Sequence, residues 1–142
     1  METINLDTKS PNEILELLGE LFETSREEND LERLIKSIEI ADAIKLDSFD
    51  SRNKAIFYYF LGNAWSYVQR IKYPDTKFEF ESEEIEKQIV CYRKALGLLK
   101  ENDDEFISCQ VLTNLGNLFS HIGRIVEVDL QTYLRHKVKR HF

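Results

Sequence analysis

A short phrase that occurs three times constrains the fold of this sequence more than any other feature. Each copy reads Leu-Gly-x-x-aromatic, and the three glycines are separated by 43 and then 54 residues: Gly19, Gly62 and Gly116. A unit that recurs while its connectors vary in length is typical of proteins built from repeated helical pairs. The sequence therefore predicts a helical repeat protein.

The repeated glycine stands inside a predicted helix, where it lowers helix stability by about 0.5–1 kcal/mol relative to alanine. Its recurrence predicts a compensating contact, because a residue without a side chain lets a second helix approach closely. The leucine before the glycine and the aromatic residue three positions after it would fill the space on either side. We therefore expect Gly19, Gly62 and Gly116 to mark contacts between paired helices.

Local signals in the sequence predict where the helices begin and end. Ser10, Pro11 and Glu13 form an N-terminal capping pattern, and Asp30 can cap a second helix after a short connector. Gly123 is placed to end the fifth helix with a left-handed cap. Apolar residues at helical spacing between these signals predict about six helices in three antiparallel hairpins, which cover approximately residues 11–46, 51–100 and 104–140.

The third predicted helix is so rich in aromatic residues that it must be covered on more than one side, which predicts that it lies at the centre of the fold. Its aromatic residues and one from the fifth helix are interpreted as core: Phe57, Tyr58, Trp65 and Phe119. Residues 73–81 interrupt the middle hairpin with a proline and are interpreted as an insertion. Residues 126–142 favour a sixth helix, although residues 126–130 also alternate as a strand would.

The repeated phrase, followed by a glycine and then by a helix with a small and an aromatic residue, resembles the tetratricopeptide repeat. That repeat is a helix–turn–helix unit of about 34 residues. The resemblance covers residues 11 to about 128, and the residues that carry it most clearly are Leu61, Gly62, Trp65, Tyr92 and Ala95 in the middle copy and Leu115, Gly116, Phe119 and Gly123 in the last. The helix after the last copy departs from the pattern at Val128, Thr132 and Arg135.

The resemblance implies an all-α fold in which residues 1–142 form one domain, with the hairpins stacked as a right-handed superhelix. It also implies a protein- or peptide-binding scaffold or adaptor that uses its concave groove. In such repeats, polar positions beside the Leu-Gly pair hold a peptide backbone, and here they are Asn63, Asn114 and Asn117, with Tyr59, Tyr67 and Arg70 as further candidates. An asparagine amide suits this task because it both donates and accepts hydrogen bonds.

Composition and charge narrow the possible partners. The net charge is −7, yet the four basic residues after Asp129 contribute +4, so residues 1–129 carry −11. An acidic body repels phosphate backbones, which makes nucleic acid an unlikely partner except through the basic tail, defined as Arg135, Lys137, Lys139 and Arg140. No signal peptide or membrane span is predicted, and a cytoplasmic location follows by default. Cys91 and Cys109 are interpreted as unpaired small apolar residues.

The basic tail leaves alternative functions open. An arginine followed by a histidine a few residues later resembles the RNase motif of the HEPN family, which would give Arg135, His136 and His141 roles around a scissile phosphate. The tail could also bind RNA or an acidic partner as a plain electrostatic patch. The chain could instead be the N-terminal repeat region of a larger effector, or could associate with itself through apolar residues of the last helix. No catalytic set, cofactor or metal site is predicted.

Overall fold

A computed structural model describes residues 6–73, 83–99 and 105–125, and these residues form five α-helices and no strand. The helices are α1 (Pro11–Glu27), α2 (Leu31–Asp42), α3 (Ser51–Lys72), α4 (Glu83–Leu99) and α5 (Glu105–Ile125). The prediction of an all-α protein is therefore confirmed for this part of the chain. The predicted sixth helix, within residues 126–142, lies outside the described ranges, as does the predicted insertion at residues 73–81 apart from Tyr73.

Side-chain caps fix the start of the first three helices, and the sequence predicted the first two of them, Ser10 and Asp30. The Ser10 hydroxyl accepts a hydrogen bond from the Glu13 backbone N–H, and the Glu13 carboxylate accepts one from the Ser10 N–H, both at 3.2 Å. The Asp30 carboxylate accepts a hydrogen bond from the Arg33 backbone N–H at the start of α2, and the Asp50 carboxylate accepts one from the Asn53 N–H at the start of α3. Each carboxylate or hydroxyl satisfies backbone donors that have no partner inside the helix.

The predicted central position of the third helix is confirmed, because α3 contacts α1, α2 and α4. One core cluster joins α1, α2 and α3 through buried side chains such as Leu18, Leu34 and Val68. A second cluster joins α3, α4 and α5 through Ala55, Tyr92, Ala95, Leu99, Val111 and Leu115. Side chains from opposite sides of α3 therefore pack into two separate core clusters.

The three repeated glycines differ in their surroundings. A β-carbon at Gly62 would lie 2.6 Å from Cε1 of Tyr92 on α4, so this glycine does mark a close contact between paired helices. A β-carbon at Gly19 would lie 3.3 Å from Phe60, a residue of α3 rather than of the following helix. Gly116 is exposed, with no described residue within 4 Å of an added β-carbon, and its predicted partner helix lies outside the described ranges.

Helix α5 differs from its prediction in two respects. It runs through Gly123 to Ile125, and no described glycine has a positive φ, so Gly123 does not form the expected left-handed cap. Phe119, predicted to be core, has 47% of its surface exposed. Val111, Leu115 and Leu118 are buried instead, because α4 packs against that side of α5.

Candidate functional site

All six residues predicted to line a groove lie around one cavity of about 570 Å³. Four come from successive turns of α3 and two from α5: Tyr59, Asn63, Tyr67, Arg70, Asn114 and Asn117. Helix α4 contributes Gln88 and Tyr92, which the sequence-based prediction did not include. The cavity therefore lies where three helices face one another, and its volume is within the range of sites that bind a ligand or a short peptide segment.

Asn63 organises the deep part of this cavity. Its Oδ1 accepts hydrogen bonds from the Tyr92 hydroxyl at 2.7 Å and from Nδ2 of Asn114 at 2.9 Å, which links α3, α4 and α5. Tyr92 is 98% buried, and burial raises the pKa of its hydroxyl, so the group is held in its neutral, donating form. The Asn63 oxygen is thus used within the protein, and only its Nδ2 group is left to face a ligand.

Tyr59 and Tyr67 are also held by hydrogen bonds. The Tyr59 hydroxyl donates to Oε1 of Gln110 on α5 at 2.8 Å, and the Tyr67 hydroxyl donates to Oε2 of Glu23 on α1 at 3.0 Å. Burial and the bond to Glu23 raise the pKa of Tyr67 to about 12. Both rings are therefore fixed in place, and they form rigid aromatic walls.

Gln69 and Gln88 close the cavity on the side of α4. Nε2 of Gln88 donates to Oε1 of Gln69 at 2.7 Å and to the backbone carbonyl of Glu84 at 3.1 Å. One turn further along α3, the Lys72 ammonium pairs with the buried Glu84 carboxylate at 2.6 Å. Gln88 lies four residues before Tyr92, so the helical period could have predicted that both face the same side.

Arg70 and Asn117 are the most exposed of the six predicted groove residues. Both side chains are exposed, and Arg70 forms no ion pair with any residue in the described ranges. No described carboxylate lines the cavity, although the chain as a whole is acidic. The open surface therefore offers a permanent positive charge and an exposed amide.

A second cavity of about 600 Å³ lies on the other side of α3 and has a different character. Phe57 is buried there, in agreement with its interpretation as a core residue. Tyr58 and Trp65 are half-buried, and each ring is covered by a lysine of α4: the Lys94 ammonium lies 5.2 Å from the Tyr58 centroid and the Lys87 ammonium 4.6 Å from the Trp65 centroid. These contacts join α3 and α4, and they occupy the ring faces.

The other predictions concern metal binding, a membrane span, the two cysteines and the basic tail, and only some of these residues lie in the described ranges. Among the residues that the structure describes, no three His, Cys, Asp or Glu side chains are grouped to hold a metal ion, and no helix is long and apolar enough to cross a membrane. Cys91 and Cys109 are both free thiols, as predicted. The basic tail and the three residues of the RNase-like pattern lie outside the described ranges: Arg135, His136, Lys137, Lys139, Arg140 and His141.

Comparison with known proteins does not assign the chain to a family. The sequence matches no protein-family model and no curated protein, and the fold matches no solved structure. The functional argument therefore depends on the cavity itself.

Proposed function

We propose that this chain is a tetratricopeptide-like interaction module that binds a peptide or an extended protein segment in the cavity between α3, α4 and α5. The observation that carries the proposal is the convergence of all six predicted groove residues on that one cavity. Three of them, Asn63, Asn114 and Asn117, stand beside the repeated Leu-Gly pair, and Tyr59, Tyr67 and Arg70 share the same side of α3 by helical phase.

The chemistry of the cavity wall suits a peptide backbone. A peptide group presents one N–H donor and one C=O acceptor, and it needs a partner of each kind. Asn117 and the free Nδ2 of Asn63 supply donors, and the Oδ1 atoms of Asn114 and Asn117 supply acceptors. Because the Asn63 and Asn114 side chains are held by hydrogen bonds within the protein, binding would cost little side-chain entropy.

Arg70 adds a preference for an anionic group on the bound segment. Within the described ranges its guanidinium has no carboxylate partner, and the cavity lining there includes no acidic residue. A carboxylate or phosphate on the ligand would therefore meet an available fork of donors, and a charge-assisted hydrogen bond of this kind contributes about 1.5–3 kcal/mol.

The proposal can be tested by selecting peptides from a random displayed library against the immobilised full chain. Affinities of the selected peptides would then be measured by fluorescence anisotropy for the unsubstituted chain and for Asn117→Ala and Arg70→Ala. Each substitution should weaken binding by about tenfold or more, which corresponds to the loss of about 1.4 kcal/mol. The unfolding midpoint should hardly change, since both side chains are exposed.

Two exposed residues outside the cavity provide matched controls: Asn12→Ala on α1 and Arg93→Ala on α4. Neither should change peptide affinity. Selected peptides that bind all four variants equally well would show that this cavity is not the binding site, and a library that yields no binder would count against peptide binding itself.

A further inference from the structure

The second cavity, which lies between α2, α3 and α4, combines an apolar floor with charged sides. Phe57, Leu61 and Trp65 of α3 form the floor. The apolar surface continues through residues at or just after the end of α2 and on α4: Ala41, Ile44, Leu46 and Val90. Val90 has 49% of its surface exposed, and the cavity volume of about 600 Å³ is enough for the side chains of a bound partner.

Charged side chains surround the second cavity, and the fold uses only some of them: Asp42, Glu83, Glu86, Lys87 and Lys94. The two lysines each cover an aromatic ring of α3, and Lys87 also pairs with Glu83 at 3.6 Å. Asp42 and Glu86 form no ion pair with any residue in the described ranges. Within that part of the chain, the cavity therefore has an unpaired carboxylate on each side, one on α2 and one on α4, while both of its cations are engaged.

The position of Asp42 is unfavourable for the fold itself. It is the last residue of α2, where the helix dipole favours a positive charge, and the last turn of this helix contains no basic residue. Desolvation raises the pKa of the Asp42 carboxyl, while Lys87 opposes this shift and Glu39 adds to it. A carboxylate that weakens its own helix and has no ion-pair partner among the described residues indicates a role in binding.

The dimensions of the second cavity suit a single helical segment. The charges of Lys94, Asp42 and Lys87 all act on the buried Cys91 thiol, whose pKa burial raises to about 11. Because such interactions weaken with distance, the Asp42 carboxylate of α2 lies near the α4 side of the cavity, and one ligand can contact both sides. The floor extends from the Phe57 position to the Trp65 position, a rise of about 12 Å or two helical turns along α3.

We propose that the second cavity binds an amphipathic helix of another protein, in which apolar residues at helical spacing are flanked by lysine or arginine. The apolar side chains would enter between Leu61 and Val90, and the basic side chains would meet Asp42 on one side and Glu86 on the other. This site is separate from the cavity proposed to bind a peptide, which lies on the other side of α3 and presents Arg70. The two cavities would therefore select segments of opposite charge, and the chain could hold both partners at once.

Trp65 provides a native signal for occupancy, because it is the only tryptophan of the chain and lines the second cavity but not the first. The probe is a helix-forming peptide of about 18 residues that contains leucine at helical spacing, lysine and alanine, and no tryptophan. The control peptide has glutamate in place of every lysine. In a titration of the full chain at physiological salt, the lysine peptide should shift the Trp65 emission saturably to shorter wavelength, because the half-buried ring loses contact with water. The glutamate peptide should leave the emission unchanged.

Two pairs of substitutions separate this site from the general acidity of the chain. Asp42→Asn with Glu86→Gln removes the two carboxylates of the cavity and should weaken binding of the lysine peptide by about tenfold or more. Glu16→Gln with Glu20→Gln changes the net charge equally on the exposed face of α1, outside both cavities, and should leave the affinity within about twofold. Asp42→Asn alone should raise the urea midpoint slightly, because it removes a negative charge from the C-terminal end of α2, so its loss of binding is not a loss of structure.

A lysine peptide that leaves the Trp65 emission unchanged would overturn the proposal. So would equal weakening by the two pairs of substitutions, which would assign binding to the overall negative charge, or an equal response to the glutamate peptide. Arg70→Ala should not alter the titration, and a loss of affinity in that variant would place the peptide in the first cavity instead. Failure of any of these tests leaves peptide binding in the first cavity open, because that proposal depends on Arg70 and Asn117 and is measured with other peptides.

Discussion

Replacing Gly62 by alanine tests the central contact of the fold, because the substitution has opposite effects on the helix and on its packing. Within α3 alone, Gly62→Ala should stabilise by about 0.5–1 kcal/mol, the difference in helix propensity. Against α4 it should destabilise, since the new β-carbon would lie 2.6 Å from Cε1, 2.8 Å from Cδ1 and 3.0 Å from Cζ of Tyr92. All three distances are shorter than carbon atoms tolerate without a shift of one helix or the ring.

Tyr92 cannot move away at low cost. Its ring is 2% exposed, it packs with Ala55, Ala95 and Leu99, and its hydroxyl is anchored to Asn63. Overpacking a core in this way costs about 1–3 kcal/mol, and loss of the hydroxyl's hydrogen bond costs about a further 1 kcal/mol. The packing term exceeds the propensity term, so we expect Gly62→Ala to lower the free energy of unfolding by about 1–3 kcal/mol.

Gly97→Ala is the matched control, because Gly97 is exposed in α4 and an added β-carbon there meets no described residue within 4 Å. It should raise the free energy of unfolding by about 0.5–1 kcal/mol. Urea unfolding followed by circular dichroism measures both variants, provided that the slope of the transition is unchanged. If Gly62→Ala stabilises as much as Gly97→Ala does, the close contact and its energetic role are refuted.

A double substitution separates steric conflict from other causes. Tyr92→Leu removes the ring atoms that the new β-carbon would meet, so Gly62→Ala should cost little when it is added to Tyr92→Leu. The coupling energy is the change in the free energy of unfolding caused by Gly62→Ala in the Tyr92→Leu chain minus the change it causes in the unsubstituted chain. It should be about +1–3 kcal/mol, as for residues in direct contact. A coupling energy near zero would mean that Gly62→Ala acts through something other than Tyr92.

Two further predictions concern ionisable groups. Lys72→Met should destabilise by about 1–3 kcal/mol in urea unfolding, because it removes the ammonium that pairs with the buried Glu84 carboxylate. Recovery is expected in Lys72→Met with Glu84→Gln, and no loss in the single variant would contradict the role of the pair. Hydrogen bonds from Arg26, and to a lesser extent from Tyr67, lower the pKa of Glu23 in the folded protein from 4.5. The ionised Glu23 carboxylate therefore stabilises the fold above its unfolded pKa, and this contribution is lost as the pH falls through the lower folded pKa. Glu23→Gln should therefore flatten the acid side of the melting-temperature profile, and an unchanged profile would exclude this contribution.

Local physical chemistry explains why the helix starts could be predicted from the sequence. A cap at Ser10 or Asp30 needs only a short polar side chain and the backbone N–H groups of the next turn, so all the atoms involved lie within four residues. The end of α5 could not be predicted in the same way. Glycine at position 123 permits a left-handed cap but does not require one, and α5 continues through it.

The residues around the cavity were predictable because the repeat carries long-range information. Asn63 and Asn117 stand 54 residues apart, as Gly62 and Gly116 do, so equivalent turns of α3 and α5 were expected to face the same groove. Their hydrogen-bond partners were not predictable. Whether the Asn63 oxygen is free depends on where α4 places the Tyr92 hydroxyl, and that depends on helix packing rather than on the period within any one helix.

That difference changes which residue should be used to probe the cavity. Asn63 and Asn117 occupy equivalent positions in the repeat. From the sequence alone, a double substitution to alanine is expected to change binding and not stability. Because Asn63 accepts two hydrogen bonds inside the protein, Asn63→Ala would leave the buried Tyr92 hydroxyl without its acceptor, at a cost of about 1–3 kcal/mol. Loss of binding in that variant could not be separated from loss of structure, whereas Asn117 is exposed and its substitution reports on the cavity surface itself.

The two faces of α3 suggest how a repeat of this kind separates stability from recognition. On one face, Gly62 and Trp65 are covered by α4, and any substitution there acts on folding first. On the other, Tyr59 and Tyr67 are fixed by bonds to neighbouring helices, and Arg70 is left open. Exchange of exposed residues such as Arg70 or Asn117 would therefore alter the cavity surface proposed to bind a peptide, without disturbing the contacts that hold α3 and α4 together.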